Sequence, residues 1–161
     1  MKRNAKVLFM AQAAMIAAIY VVLTIIFAPV SFKEIQVRIS EALTILPVFT
    51  PAAIPGLFIG CLLSNILGGC IVPDILLGSI ATLIGAAGTY LLRRQKICFS
   101  VFPPILSNTL IIPFVLRYGY QVPLSFPTLM LTVGIGEIIS CGILGSVLHR
   151  ILAKYKSTIF K

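Results

Sequence analysis

Four carboxylates interrupt an otherwise apolar chain: Glu34, Glu41, Asp74 and Glu137. An ionised side chain in hydrocarbon costs about 3 kcal/mol or more, so an acid kept there faces a bundle interior and is a candidate for function. Glu137 is the sharpest case. It stands in Gly134-Ile135-Gly136-Glu137-Ile138-Ile139, where the flanking glycines would let a helix or a ligand come close. It either pairs with a polar residue of another helix or contacts a ligand. Arg38 and Glu41 are three apart and share one face of a helix. They form a local ion pair, or one or both point into an outward-facing pocket. Asp74 follows Pro73 at a helix start, where the helix dipole alone could account for an acid. The amides of Asn65 and Asn108 need partners in an apolar segment, from a neighbouring helix or from a ligand, and Asn108 leans to the ligand. Carboxylates and amides of this kind suit a donor-rich or cationic small molecule.

Other reactive types carry less. Tyr118 and Tyr120 fall in a loop and read as interfacial anchors, with stacking on a bound ring as the lesser reading. His149 lies among bases at a helix end and reads as structural. Cys61, Cys70, Cys98 and Cys141 form no CxxC pair and have no histidine nearby in sequence. Cys61 and Cys141 read as small hydrophobes inside helices. Ser146 and His149 are three apart without a third group to support them. No GxSxG, HExxH, P-loop or paired-aspartate motif occurs, so no catalytic residue, metal site or cofactor is expected.

The elements that must hold these residues are membrane helices. Of 161 residues, 59% are hydrophobic and 11% charged, with a mean hydropathy of +1.09. A soluble domain carries about 25% charge, and one this small could not hide so much apolar surface. Six apolar segments are predicted: residues 7–28, 36–49, 52–69, 74–92, 99–116 and 126–152. Most have the about 17–25 residues that cross hydrocarbon, whereas the second is short. Pro47, Pro51 and Pro55 bracket the turn after it. The apolar run after Met1-Lys2-Arg3 is too long for a signal peptide and reads as the first span.

The net charge of +9 fits cytoplasmic loops better than a nucleic-acid surface, and no nucleic-acid partner is expected. With six spans and a cytoplasmic start, Lys2, Arg3, Lys6, Arg93, Arg94, Lys96, Arg150, Lys154, Lys156 and Lys161 fall inside. Only Lys33, Arg38 and Arg117 fall outside. The expected architecture is therefore an all-α, multi-pass protein of the cell membrane. It forms one domain over residues 1–161, a bundle of six transmembrane helices with both termini cytoplasmic. No internal repeat is evident, which disfavours a self-contained secondary carrier. Ala13/Ala17 and Ala14/Ala18 make a small-residue stripe on the first span. It suits packing within the chain or docking onto another membrane protein.

Three stretches carry a family resemblance. VRISEALTILP (Val37–Pro47) resembles the most distinctive segment of the QueT family. PAAIPGLFIGCLLSN (Pro51–Asn65) and DILLGSIATL (Asp74–Leu83) extend the likeness, which covers most of the chain. The resemblance implies the substrate-binding S component of an energy-coupling factor transporter of the ABC class. Such a six-helix subunit captures a micronutrient outside and docks on a transmembrane coupling protein with two cytoplasmic ATPases. The implied ligand is a queuosine precursor, 7-aminomethyl-7-deazaguanine or a close relative. Its guanine-like edge offers adjacent N–H donors to one carboxylate, and its cationic arm suits a second. On that reading Glu137 or Glu41 takes the base edge, another acid takes the amine, and Arg38 orients the partner carboxylate. The binding set is Arg38, Glu41, Asn65, Asp74, Asn108 and Glu137, and Ala13, Ala14, Ala17 and Ala18 form the docking stripe. An S component for another vitamin or base, a stand-alone carrier and a small intramembrane enzyme are the rival readings.

Overall fold

The computed structural model describes residues 2–27, with side chains from Asn4, and residues 38–155. Lys33, Glu34, Lys156 and Lys161 lie outside the described residues, as do both terminal residues and the inner bounds, at 28 and 36, of the first two predicted segments. The described chain is all-helical. α1 (Lys2–Ile26) is followed by a 3-10 helix (Ile39–Val48), α2 (Ala53–Leu67), α3 (Val72–Leu91) and α4 (Ile97–Phe114). A π-helical turn (Val115–Gly119) continues α4. The last rod runs through α5 (Phe126–Glu137), a second π segment (Ile138–Leu144) and α6 (Gly145–Lys154).

Four helices are long and apolar enough to cross a membrane: Asn4–Ile26, Val72–Leu91, Ile97–Gly119 and Phe126–Lys154. The 3-10 helix and α2 are shorter. At about 2 Å per residue, ten residues of 3-10 helix reach about 20 Å, against a hydrocarbon core of about 30 Å. The surface is inverted relative to a water-soluble protein. Large apolar side chains such as Met10, Met15, Leu67, Leu91, Phe102 and Leu131 are exposed, while Arg38, Glu41, Asp74, Asn65, Asn108 and Glu137 are buried. Such an exterior belongs in lipid.

Successive rods alternate in direction. α1 meets the 3-10 helix through Thr24–Ser40 and Gln12–Thr50, and α3 meets α4 through Gly85–Pro104 and Gly88–Pro103. α4 meets the last rod through Asn108–Glu137 and Phe114–Phe126. Gly69, at φ +71°, turns the chain between α2 and α3, and the N–H of Cys70 caps the Asn65 carbonyl at 3.0 Å. Three prolines sit inside α4, Pro103, Pro104 and Pro113. Pro104 has no N–H for the carbonyl of Ser100, and the Thr89 hydroxyl on α3 donates to that carbonyl at 2.9 Å.

The structure changes two expectations of detail. Pro47 lies inside the second helix and Pro55 inside α2, so Thr50-Pro51-Ala52 makes the turn. Gly134, one turn before Glu137, is not a site of close approach. A Cβ at Gly134 would meet Thr109 at an ordinary 3.5 Å, whereas Cβ atoms at Gly56 and Gly60 would stand 2.7 Å from the Ala13 carbonyl and 2.8 Å from the Tyr20 Cβ. The tight helix seams are therefore α1 against α2 and α3 against α4, where Cβ atoms at Gly85 and Gly88 would stand 2.6 Å from the Pro104 Cα and 2.5 Å from the Pro103 Cβ.

Candidate functional site

The 3-10 geometry of the second helix sets up the site. With three residues per turn, side chains at i and i+3 eclipse. Arg38, Glu41 and Thr44 therefore line one edge of a helix whose residues 40–47 are buried. Arg38 and Glu41 each reach groups on other helices. The Arg38 guanidinium lies 3.9 Å from Asp74 Oδ2 across the bundle. Glu41 Oε1 accepts a hydrogen bond from the Tyr20 hydroxyl of α1 and another, at 3.5 Å, from Thr82 of α3.

Glu137 ends α5, and the π segment begins at the next residue. Residue i+4 stays on the same side of the rod as residue i through this junction. Glu137 and Cys141 consequently stack on the inner face. The Cys141 thiol donates to Glu137 Oε2 at 3.1 Å, and Asn108 Nδ2 of α4 donates to Oε1 at 3.0 Å. Thr44 lies between the two halves of this cluster, its hydroxyl 2.6 Å from the Glu41 backbone carbonyl and 3.4 Å from Cys141 Sγ. Oxygens of Glu41 and Glu137 and the Cys141 sulfur all lie within 4.8 Å of one another.

A second cluster lies two turns of α3 away, about 12 Å along its axis. Asp74 opens α3 and is 2% exposed. The Tyr120 hydroxyl donates to its Oδ2 at 2.9 Å and accepts from the Ile71 N–H at 3.4 Å. Burial, followed by the Asp74 charge, pushes the Tyr120 phenol well above its ordinary range, which keeps it a donor. The same two causes raise the Cys70 thiol in the adjoining turn. Asn65 Nδ2 reaches the Asp74 backbone carbonyl at 3.4 Å. Gly78 keeps the space below open, since a Cβ there would stand 3.1 Å from Asn65 Nδ2 and 3.3 Å from Asp74 Oδ1.

Several of these groups have acceptor capacity left over. Among the described residues, Glu41 Oε2, Asn65 Oδ1 and Asp74 Oδ1 are buried without a hydrogen-bond partner, as are the hydroxyls of Thr109 and Ser140. An unpaired buried polar atom costs about 1–3 kcal/mol, more when charged, and marks a place that deserves an explanation. Three of the five atoms are pure acceptors, an arrangement complementary to a ligand rich in N–H donors.

All six candidate binding residues are buried, and they divide between the two clusters: Glu41, Asn108 and Glu137 in one, Arg38, Asn65 and Asp74 in the other. Glu137 does pair with a polar residue of a neighbouring helix, the Asn108 amide. The alanine stripe also divides. Ala13 and Ala17 are buried against Gly56 and Gly60 of α2, whereas Ala14 and Ala18 face outward. Tyr118 is exposed and stacks on Phe114, and His149 packs on Phe49. Sequence reasoning passed over Tyr20, Thr82 and Gly78, and it took Cys141 for a small hydrophobe. One signal was available: Thr82 and Gly78 follow Asp74 at four-residue steps, and Cys141 follows Glu137 by four.

The match to known proteins is consistent with this arrangement. Residues 10–154 match the family model described as QueT transporter. The chain belongs to the QueT transporter family. Membership places it among transporters, not enzymes, and agrees with the likeness carried by Val37–Pro47 and the two stretches after it. A curated relative in the family, the queuosine precursor transporter QueT of Lactococcus lactis subsp. cremoris (strain MG1363), is 36% identical over 86 residues. That alignment takes in 52% of this chain and 50% of the relative, so the chain matches about half of the relative's length. No solved structure matches.

The Tyr20 phenol supplies the shorter of the two hydrogen bonds to Glu41 Oε1. Tyr20→Phe is expected to destabilise the protein by about 2 kcal/mol, the typical loss for a bond to a charged acceptor. Thermal unfolding in detergent measures it, and an unchanged Tm would mean that the carboxyl does not rely on this donor.

Proposed function

We propose that this chain is the solute-binding subunit of an importer for a queuosine precursor, 7-aminomethyl-7-deazaguanine or a close relative. The observation that carries the reading is the buried set of acceptors, Glu41 Oε2 near the Glu137 carboxyl and, in the second cluster, Asn65 Oδ1 and Asp74 Oδ1. A deazaguanine edge presents adjacent N–H donors, and an aminomethyl arm adds a cation. The name of the L. lactis relative points to the same ligand class. In this reading Arg38, Glu41, Asn65, Asp74, Asn108 and Glu137 form the binding site.

The chain forms one domain that crosses the cell membrane six times, the two short helices included, with both termini in the cytoplasm. Basic residues at Lys6, Arg93, Arg94, Lys96, Arg150 and Lys154 support that orientation. Reporter fusions after Lys96 and after Lys161 test it, and an external signal from either overturns it. As an S component the chain would work with a transmembrane coupling protein and two cytoplasmic ABC ATPases, in contact with membrane lipid. Ala14 and Ala18, exposed on α1, offer a shallow surface for a partner helix. Ala14→Leu is expected to block assembly with the coupling protein while ligand affinity stays within about twofold. Transport that survives this substitution would remove the exposed stripe from docking.

The deciding measurement is binding of 7-aminomethyl-7-deazaguanine to the purified chain in detergent, with guanine and thiamine as competitors. Tight binding that guanine displaces weakly and thiamine does not displace supports the reading. A folded sample that does not bind the base overturns it.

A further inference from the structure

Four charged side chains are buried among the described residues, one base against three acids: Arg38, Glu41, Asp74 and Glu137. Arg38 lies against Asp74 at 3.9 Å. Its single charge also acts on Glu41 and Glu137, but one base cannot balance three acids, and the carboxyl oxygens of Glu41 and Glu137 lie within 4.8 Å of each other. The groups donating to them, from Tyr20, Thr82, Asn108 and Cys141, are formally neutral. Neutral donors soften the repulsion between two carboxylates but do not cancel it, and like charges this close in a water-poor interior do not both ionise unless a cation joins them.

The titratable groups around the pair are Tyr20 on α1, Arg38 on the 3-10 helix, Cys61 on α2, Asp74 on α3 and Cys141 on the π segment. Arg38 is the one cation among them, and it lies beside Asp74. We infer that Glu41 and Glu137 share one proton in the ligand-free protein and exchange it for a single positive charge on the ligand, so that the pair selects a monocationic base. The inference rests on the substrate reading above. The exchange balances: the ammonium enters between two oxygens, one proton leaves to water, and the net charge of the pair with its occupant stays the same. Glu41 Oε2, buried and unpartnered, is an acceptor for the incoming N–H.

The test joins infrared difference spectroscopy to calorimetry. The free protein at neutral pH should show the carbonyl band of a protonated carboxylic acid, shifted in D2O and absent from the Glu41→Gln/Glu137→Gln double variant. 7-Aminomethyl-7-deazaguanine should remove the band. Titrations in two buffers of different ionisation heat should report close to one proton released per ligand. Affinity should fall as pH is lowered, by up to about tenfold per unit, because the ligand then competes with the proton. A neutral analogue, 7-cyano-7-deazaguanine, should bind without proton release and leave the band in place. A free-protein spectrum without the band overturns the inference whatever the base does. So does cationic-base binding with no proton released. Failure of both bases to bind overturns the substrate reading instead.

Discussion

Glu137→Gln is expected to weaken binding of 7-aminomethyl-7-deazaguanine by more than tenfold, about 1.4 kcal/mol or more, with the protein still folded. The two halves of this expectation have separate causes. The fold survives because Gln is nearly isosteric and its neighbour adapts. Asn108 donates its Nδ2 to Glu137 Oε1, and a flipped Asn108 amide would present its oxygen to a Gln N–H instead. The Cys141 thiol keeps an acceptor if the Gln carbonyl occupies the Oε2 position. Binding suffers because a neutral amide returns neither the charge nor the second acceptor that a cationic, donor-rich ligand uses. Removing one member of a buried charged contact generally costs about 2–5 kcal/mol. Calorimetry gives the affinity and thermal unfolding in detergent gives the stability. Unchanged affinity in a folded variant takes Glu137 out of the site.

The same residue shows what was legible in the sequence. A lone acid inside an apolar segment can be read without coordinates, because hydrocarbon makes its presence expensive. Glu137, Asp74, Asn65 and Asn108 were all visible on that ground, and so were the apolar elements to within a few residues. Their pairing was not visible. The Arg38–Glu41 spacing left a local ion pair and an outward-facing pocket both open; in the 3-10 helix that edge faces three other helices, and Arg38 also reaches Asp74 across the bundle. Helix type follows from packing more than from local pattern, and nothing in Ile39–Val48 announces 3-10 over α geometry apart from Pro47. Cys141 was hidden for another reason. It follows Glu137 by four, the spacing of one helix face, but a cysteine in an apolar run also reads as a small hydrophobe, and only the Glu137 carboxyl beside it gives the thiol a role. Tyr20 looked like one more apolar body in an alanine-rich helix, and its hydroxyl gains meaning only from Glu41, 21 positions away.

Packing and the site meet at Gly60, where Gly60→Val is expected to damage stability and binding together. A Cβ there would stand 2.8 Å from the Tyr20 Cβ, 3.1 Å from its Cγ and 3.2 Å from the Ala17 Cα. None of these atoms is the free end of a flexible chain. Ala17 contributes backbone, and Tyr20 is completely buried with its hydroxyl held by Glu41. Overpacking of such a contact costs about 1–3 kcal/mol even where neighbours yield, and Val adds two methyl groups beyond the Cβ. To relieve the clash α1 must slide off α2, which draws the Tyr20 phenol away from Glu41 and leaves a second oxygen of that carboxyl poorly paired. The variant should therefore lose several degrees or more of Tm and most ligand binding together. Gly134→Ala is the control. Its Cβ would meet Thr109 at 3.5 Å, ordinary contact distance, and it should leave both Tm and affinity close to those of the parent. Thermal unfolding and ligand titration of the two variants side by side check the expectation. A stable, ligand-binding Gly60→Val protein would mean that α1 can shift on α2 without moving Tyr20, and that the phenol is not what fixes Glu41.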